Sequence, residues 1–176
     1  MCNCGGGRRP VPGPAAAPAP HVNQPRAVAI PAPRAVAAAS RGASGGIDTA
    51  LWGPPLWTAL HTAAQFTNSD THRSVWKRIF IVISSALPCS ECSAHYNAWV
   101  AANPVPLPYE HPELQMALSA WFLALHNDVN VRNGKATWTI DQVTATYSDK
   151  AAISSAVAAL RPYITDGLLR HFSYFV

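Results

Sequence analysis

The chain has 176 residues, four cysteines and a formal charge of +4, long enough for one domain with a buried core. Residues 1–47 carry five arginines, eight of the 16 prolines and no Asp, Glu or Lys, whereas residues 48–176 hold all six tryptophans and eight Lys plus Arg against nine Asp plus Glu. Five scattered arginines make no nucleic-acid-binding stripe. No run of 18 or more apolar residues offers a membrane span, and two close cysteine pairs are unlike a dispersed secreted-disulfide framework.

Residues 1–47 form a Pro/Ala/Arg-rich tail that cannot bury enough apolar surface to fold and is predicted to be disordered and partly polyproline-like. Its prolines interrupt every candidate signal-peptide core and oppose the amphipathic helix of an organelle transit peptide. At its tip stands Cys2-Asn-Cys4.

Residues 48–176 read as the folded domain. Asp48 or Thr49 caps a first helix through Leu51, Leu56, Leu60 and His61 towards Phe66, with Gly53-Pro54-Pro55 expected to delay its regular turns. A second helix spans about Asp70 to Ala86, with Val75, Ile79, Phe80 and Ile83 at helical spacing. A third starts at Cys89-Ser-Glu-Cys92 and runs to about Ala102; Pro88 suits its first turn. Asn103 to Pro108 is a Pro-rich loop. A long helix from Pro112 or Glu113 passes Leu114, Leu118, Trp121, Leu125 and Val129 and stops near Asn133-Gly134. Thr137 to Thr146 reads as loop, Ala151 to Leu160 as a short helix, and Arg161 to Phe172 as another after Pro162. With no strand pairs and no βαβ alternation, the predicted class is all-α, a bundle of four to five helices.

The Cys89/Cys92 spacing permits a reversible disulfide, and a cysteine at a helix start is activated by the helix dipole. One alternative is half a zinc site with His95 as a third ligand, but Cys2 and Cys4 in the tail are poor partners for it. On the third helix Cys92, His95 and Tyr96 share a face at i, i+3 and i+4. Trp57 and His61 do so on the first helix, and His126, Asn127 and Asn130 on the fourth. Aromatic faces, amides and imidazoles beside a redox pair suit a planar, phosphate-bearing cofactor, with Arg132 and Lys135 as candidate cations.

Three segments carry a resemblance. Trp52-Gly53-Pro-Pro-Leu-Trp57-Thr-Ala-Leu60-His61 resembles the first-helix motif of the Erv/ALR FAD-linked sulfhydryl oxidases. Leu87-Pro88-Cys89-Ser-Glu-Cys92-Ser-Ala-His95-Tyr96 resembles their active-site helix, and His126-Asn127-Asp-Val129-Asn130-Val-Arg-Asn-Gly134-Lys135 is similar to their H-N-x-V-N-x-x-x-G-K segment. The short Pro-rich form looks most like the versions of large cytoplasmic DNA viruses, iridoviruses in particular.

The resemblance implies FAD in the mouth of a helical bundle. Cys92 would lie against the flavin in a charge-transfer contact, and Cys89 would exchange with incoming thiols. Trp57, His61, His95, Tyr96, His126, Asn127 and Asn130 would line the cofactor, and Lys135 would approach its phosphates. Gly53 would allow close approach near the first helix, and Tyr147 is the candidate for a later aromatic contact. Cys2–Cys4 would be a shuttle disulfide between protein dithiols and Cys89. Oxygen would be the final acceptor, released as hydrogen peroxide. The family is usually dimeric through its first helices, so a homodimer is expected. A virus-encoded enzyme would work in the host cytoplasm, where thiols are otherwise kept reduced. Two non-enzymatic readings remain beside this one: a zinc-stabilised helical interaction module, and a scaffold whose Pro-rich tail binds partner domains.

Overall fold

The computed structural model describes residues 47–107, 109 and 112–176. The predicted tail, apart from Ile47, and with it Cys2 and Cys4, therefore lies outside the described residues. Among those described there are seven α-helices, one 3₁₀ helix and no strand, in agreement with the all-α expectation. Five of the helices, α1 (Thr49–Gln65), α2 (Asp70–Ala86), α3 (Ser90–Ala102), α4 (Glu113–Arg132) and α6 (Ala152–Leu160), form the bundle. The short helices α5 (Ile140–Thr146) and α7 (Asp166–Leu169) and the 3₁₀ helix Arg170–Phe175 complete its walls.

Helix α1 starts where Asp48 Oδ1 accepts the Ala50 N–H at 2.9 Å. It runs without interruption through Pro54 and Pro55, contrary to the expected delay. Proline's fixed φ suits a helix, and its missing N–H groups deprive the carbonyls of Ala50 and Leu51, two exposed residues that water can serve. From Ala59 to Ala64 every α1 residue is buried, because α4, α6 and the closing 3₁₀ helix all pack against the helix.

In α2 the Ser69 hydroxyl caps the His72 N–H at 3.2 Å. Val75, Trp76, Ile79, Ile83 and Ala86 turn inward at helical spacing. Trp76 is fully buried, and its indole N–H donates to Thr67 Oγ1 at 2.8 Å, whose hydroxyl in turn donates to the Ala63 carbonyl at 2.9 Å. Phe122 stacks on Phe80 (5.8 Å, 4°), with Trp76 beside it at 5.2 Å. This aromatic layer ties α2 to α4.

Helix α4 ends in a Schellman turn. Gly134 takes φ +67°, its N–H bonds the Val131 carbonyl at 3.1 Å, and the Lys135 N–H reaches back to Asn130 at 2.8 Å.

Two segments depart from the sequence reading. Thr137 to Thr146, read as loop, contains α5, nucleated by a capping box in which the Thr139 hydroxyl accepts from Gln142 N–H and the Gln142 side chain accepts from Thr139 N–H. The stretch after Pro162 is a four-residue helix followed by a 3₁₀ helix, because Leu168, Leu169, Phe172 and Phe175 must all turn inward within eight residues. Pro88 also lies one step earlier than expected: Cys89, in extended conformation, is the cap, and α3 begins at Ser90.

The closing segment is part of the core. Phe172 and Phe175 are fully buried, and Phe175 meets Trp76 at 5.4 Å. Phe172→Ala is expected to cost about 3–5 kcal/mol, read from the urea midpoint at unchanged slope. Thr139→Ala is expected to cost about 1 kcal/mol through the lost cap.

Candidate functional site

Cys89 and Cys92 form a disulfide with Cα atoms 5.2 Å apart. Cys89 caps α3, its sulfur accepting the Cys92 N–H at 3.1 Å, so the helix N-terminus would stabilise a thiolate there once the bond is reduced. The Ser93 hydroxyl donates to the Ser84 carbonyl at 2.7 Å and pins the start of α3 to the last turn of α2. Both sulfurs are partly buried against the core.

One turn along α3, His95 Nε2 meets Asp128 Oδ2 of α4 at 2.6 Å. This bond fastens the helix that starts at the disulfide to the helix that carries His126, Asn127 and Asn130. Tyr96 is buried, its hydroxyl has no partner, and burial pushes its pKa well above the usual phenol range.

A second group of side chains gathers where α1, α4 and α5 meet. His61 Nε2 and His126 Nδ1 are 3.0 Å apart. Trp57 stacks on His126 (4.2 Å, 8°) and Tyr147 on His61 (4.7 Å, 10°). Trp138 closes the group, near parallel to Tyr147 at 6.0 Å and tilted on His126 at 5.7 Å. The walls of this cluster are flat rings and imidazole edges. Burial, reinforced by His126, lowers the His61 pKa to about 3; burial, reinforced by Lys135, lowers that of His126 to about 4. Both imidazoles are therefore neutral at pH 7 and offer a hydrogen-bonding edge without charge.

The remaining residues named from sequence divide by what they touch. Asn127 spends its amide on the backbone of Trp138, donating to its carbonyl at 2.9 Å and accepting its N–H at 2.7 Å. Asn130 is buried, and its carbonyl takes the N–H groups of Asn133 and Lys135. Lys135 is exposed. A Cβ at Gly53 would meet no protein atom within 4 Å, so that side of α1 is open to an approaching group. Trp138 and Asp128 were not singled out from sequence. Trp138 lies three residues beyond Lys135, an aromatic directly after a helix stop, which is a usable signal. Asp128 has none, because its partner lies 33 residues away on another helix.

Sequence comparison bears on this geometry. A match to the Erv1/Alr family covers residues 54–148, which holds the disulfide, the His95–Asp128 bond and the stacked rings. The chain belongs to the Erv1/Alr family. It is 34% identical over 96 residues to the FAD-linked sulfhydryl oxidase ERV1 of Oryza sativa subsp. japonica, covering 53% of this chain and 47% of that protein. Its identity to the Arabidopsis thaliana protein of the same name is 31% over 96 residues, 53% and 48% of the two chains. The putative FAD-linked sulfhydryl oxidase 347L of Invertebrate iridescent virus 6 is 30% identical over 102 residues, 51% of this chain and 85% of that protein. The chain thus spans about half the length of the plant Erv1/Alr relatives it matches.

The depressed histidine pKa values set an acid sensitivity. Stability supplied by neutral His61 and His126 is complete above about pH 6.5 and is lost as pH falls towards about 4 and about 3, because the unfolded chain binds those protons first. Each imidazole contributes a slope approaching about 1.4 kcal/mol per pH unit. Urea unfolding of the wild type and of a His61→Asn/His126→Asn variant across pH 7 to 4.5 is expected to show a steeper decline for the wild type. Parallel curves would contradict the assignment.

Proposed function

We propose that the chain is an FAD-linked thiol oxidase that forms disulfides in protein substrates. The observation that carries this reading is a disulfide at the start of α3 whose helix is fastened, through His95–Asp128, to the helix that builds the stacked-ring cluster.

The residues present suit FAD. Trp57, His126, His61, Tyr147 and Trp138 supply flat faces, and His61 Nδ1 is a buried polar atom without a partner. Neutral imidazoles place no cation beside an aromatic ring system. Asn127 fixes Trp138, while Lys135, exposed at the turn where α4 stops, would meet a phosphate. Bound FAD would take the electron pair of the reduced cysteines and pass it to oxygen, yielding hydrogen peroxide.

What this chain's own residues do is thiol–disulfide exchange. A substrate thiolate attacks Cys89, the S–S bond breaks, and Cys92 leaves as a thiolate. The second substrate thiol then attacks the mixed disulfide, releasing Cys89 and an oxidised substrate. The substrate has lost two electrons and the Cys89–Cys92 pair has gained them. Cys92 takes the flavin-side role, being inside the helix on the face of His95 and Tyr96; Cys89, at the cap, takes the substrate side. Cys2–Cys4, outside the described residues, is assigned the relay between substrate and Cys89, and residues 1–47 are its tether. A homodimer and the host cytoplasm, as for a virus-encoded enzyme, complete the proposal; a relative in Invertebrate iridescent virus 6 supports the latter. Within the chain α1 is already packed by α4 and α6, so a second copy would pair on surfaces these leave open.

The scaffold alternative rests on a tail that, apart from Ile47, lies outside the described residues, and the zinc alternative needs both thiolates free. Among the described residues no three His, Cys, Asp or Glu side chains gather as a metal site, and Cys89 and Cys92 are bonded to each other.

Purified protein is expected to be yellow and to consume oxygen with DTT. Cys89→Ser and Cys92→Ser should each abolish turnover, while a Cys2→Ser/Cys4→Ser variant keeps DTT oxidation and loses rate on protein dithiols. A folded, colourless wild type that consumes no oxygen would overturn the reading, and equal loss on both substrates would overturn the relay.

A further inference from the structure

On α2, away from the face that packs into the bundle, a cleft of about 600 Å³ lies between the helix and the closing 3₁₀ helix. Arg78, Ile81 and Val82 line it from α2; Arg170, His171 and Tyr174 line it from the other side. Its walls are fixed in place. His72 bonds the Tyr174 carbonyl at 3.0 Å and stacks on Phe175, which is buried against Trp76.

The cleft has an unusual chemistry for a surface that meets only water. Ile81 is 77% exposed and Tyr174 51%, large apolar groups that line the same open cleft. Arg78 and Arg170 flank them, and among the described residues neither has a carboxylate within salt-bridge distance, whereas Arg161 is paired with Asp166. His171, in the same lining, is buried with Nδ1 unpartnered. Its pKa is held low by burial, then by Arg170 and Arg78, so both guanidinium groups project their field into the same space.

The position matters as much as the composition. Val82 is one helical turn from the end of α2 at Ala86, and Cys89 stands three residues beyond that end. The cleft therefore lies on the helix that leads to the disulfide, its Val82 seven residues before Cys89 in the chain.

We infer that this cleft is a docking site for an acidic, apolar-flanked segment of a protein partner, and, on the thiol-oxidase reading above, that the partner is a substrate whose cysteines are thereby brought to Cys89. Carboxylates would pair with Arg78 and Arg170 while an apolar side chain covers Ile81 and Tyr174. The chain's own residues 1–47 are excluded as the occupant by charge, since they carry five arginines and no acid. A second copy placed face to face would set like guanidinium groups together.

The test uses the full-length protein and an array of short peptides in which Asp and Glu flank Leu, Phe or Trp, with a matched set in which Lys and Arg replace the acids. The acidic set should retain the protein and the basic set should not, and retention should fall as salt rises. Arg78→Ala and Arg170→Ala should each weaken binding about two- to fivefold, and Ile81→Ser should weaken it at constant charge. Arg78→Glu/Arg170→Glu should abolish retention, leave DTT oxidation unchanged, and slow oxidation of a reduced protein fused to a retained peptide. Equal retention on both arrays, none on either, or binding indifferent to the arginines overturns the proposal. So does a wild-type dimer in sedimentation that Ile81→Asp converts to monomer. Loss of DTT oxidation in the wild type with selective peptide binding intact would instead sink the oxidase reading and leave the docking site standing.

Discussion

A buried hydrogen bond between two imidazoles joins the two helices that carry the stacked-ring cluster. His61 on α1 and His126 on α4 share one proton across 3.0 Å, and burial forbids either ring a charge. Two neutral imidazoles can satisfy this bond in only two ways. If His126 donates, the proton of His61 sits on Nδ1, a buried N–H without a partner, at a cost of about 1–3 kcal/mol. If His61 donates, Nδ1 is only an unused lone pair. The second arrangement is favoured, and it turns the His61 edge into an acceptor. The ring stacking is built around this pair: Trp57 lies on one imidazole and Tyr147 on the other.

The asparagines of the α4 motif then take on a structural sense. Asn127 is occupied by the backbone of Trp138, and the Asn130 carbonyl by the turn that stops the helix. Gly134 supplies the left-handed residue the turn requires. These positions shape the cluster by steering the chain after α4 back across it. His95 and Asp128 do the corresponding work on the other side, fastening α3 with its disulfide to α4.

Apolar residues at helical spacing made α2 and α4 legible, whereas α1 was read from its cap and Leu51, Leu56 and Leu60, and α3 from Pro88 and the Cys89/Cys92 spacing, since Tyr96 is its one buried residue. Helix α5 was not legible: Thr, Ile and Val dominate it, and its stability comes from the Thr139–Gln142 cap and from Gln65 holding the Val143 carbonyl at 3.0 Å. The terminal 3₁₀ helix escaped for a similar reason, its geometry being set by side chains that must all reach one core. At the site, local spacings placed Trp57 with His61 and Cys92 with His95. The pairing of His61 with His126 spans 65 residues, and that of His95 with Asp128 spans 33. Neither contact exists until the bundle closes, so sequence could name most of the members but not their bonds.

The span shared with the family stops at residue 148, yet the molecule does not. Ile153, Leu160, Leu168, Phe172 and Phe175, all fully buried, come from the segment beyond it. They press on α1 and α2, the helices that carry His61 and lead to Cys89. Residues 149–176 thus complete the core behind α1 and α2, and the stretch matched to the family is shorter than the packed unit. Sequence drift in that segment would be felt through α1, which it packs against and which carries His61.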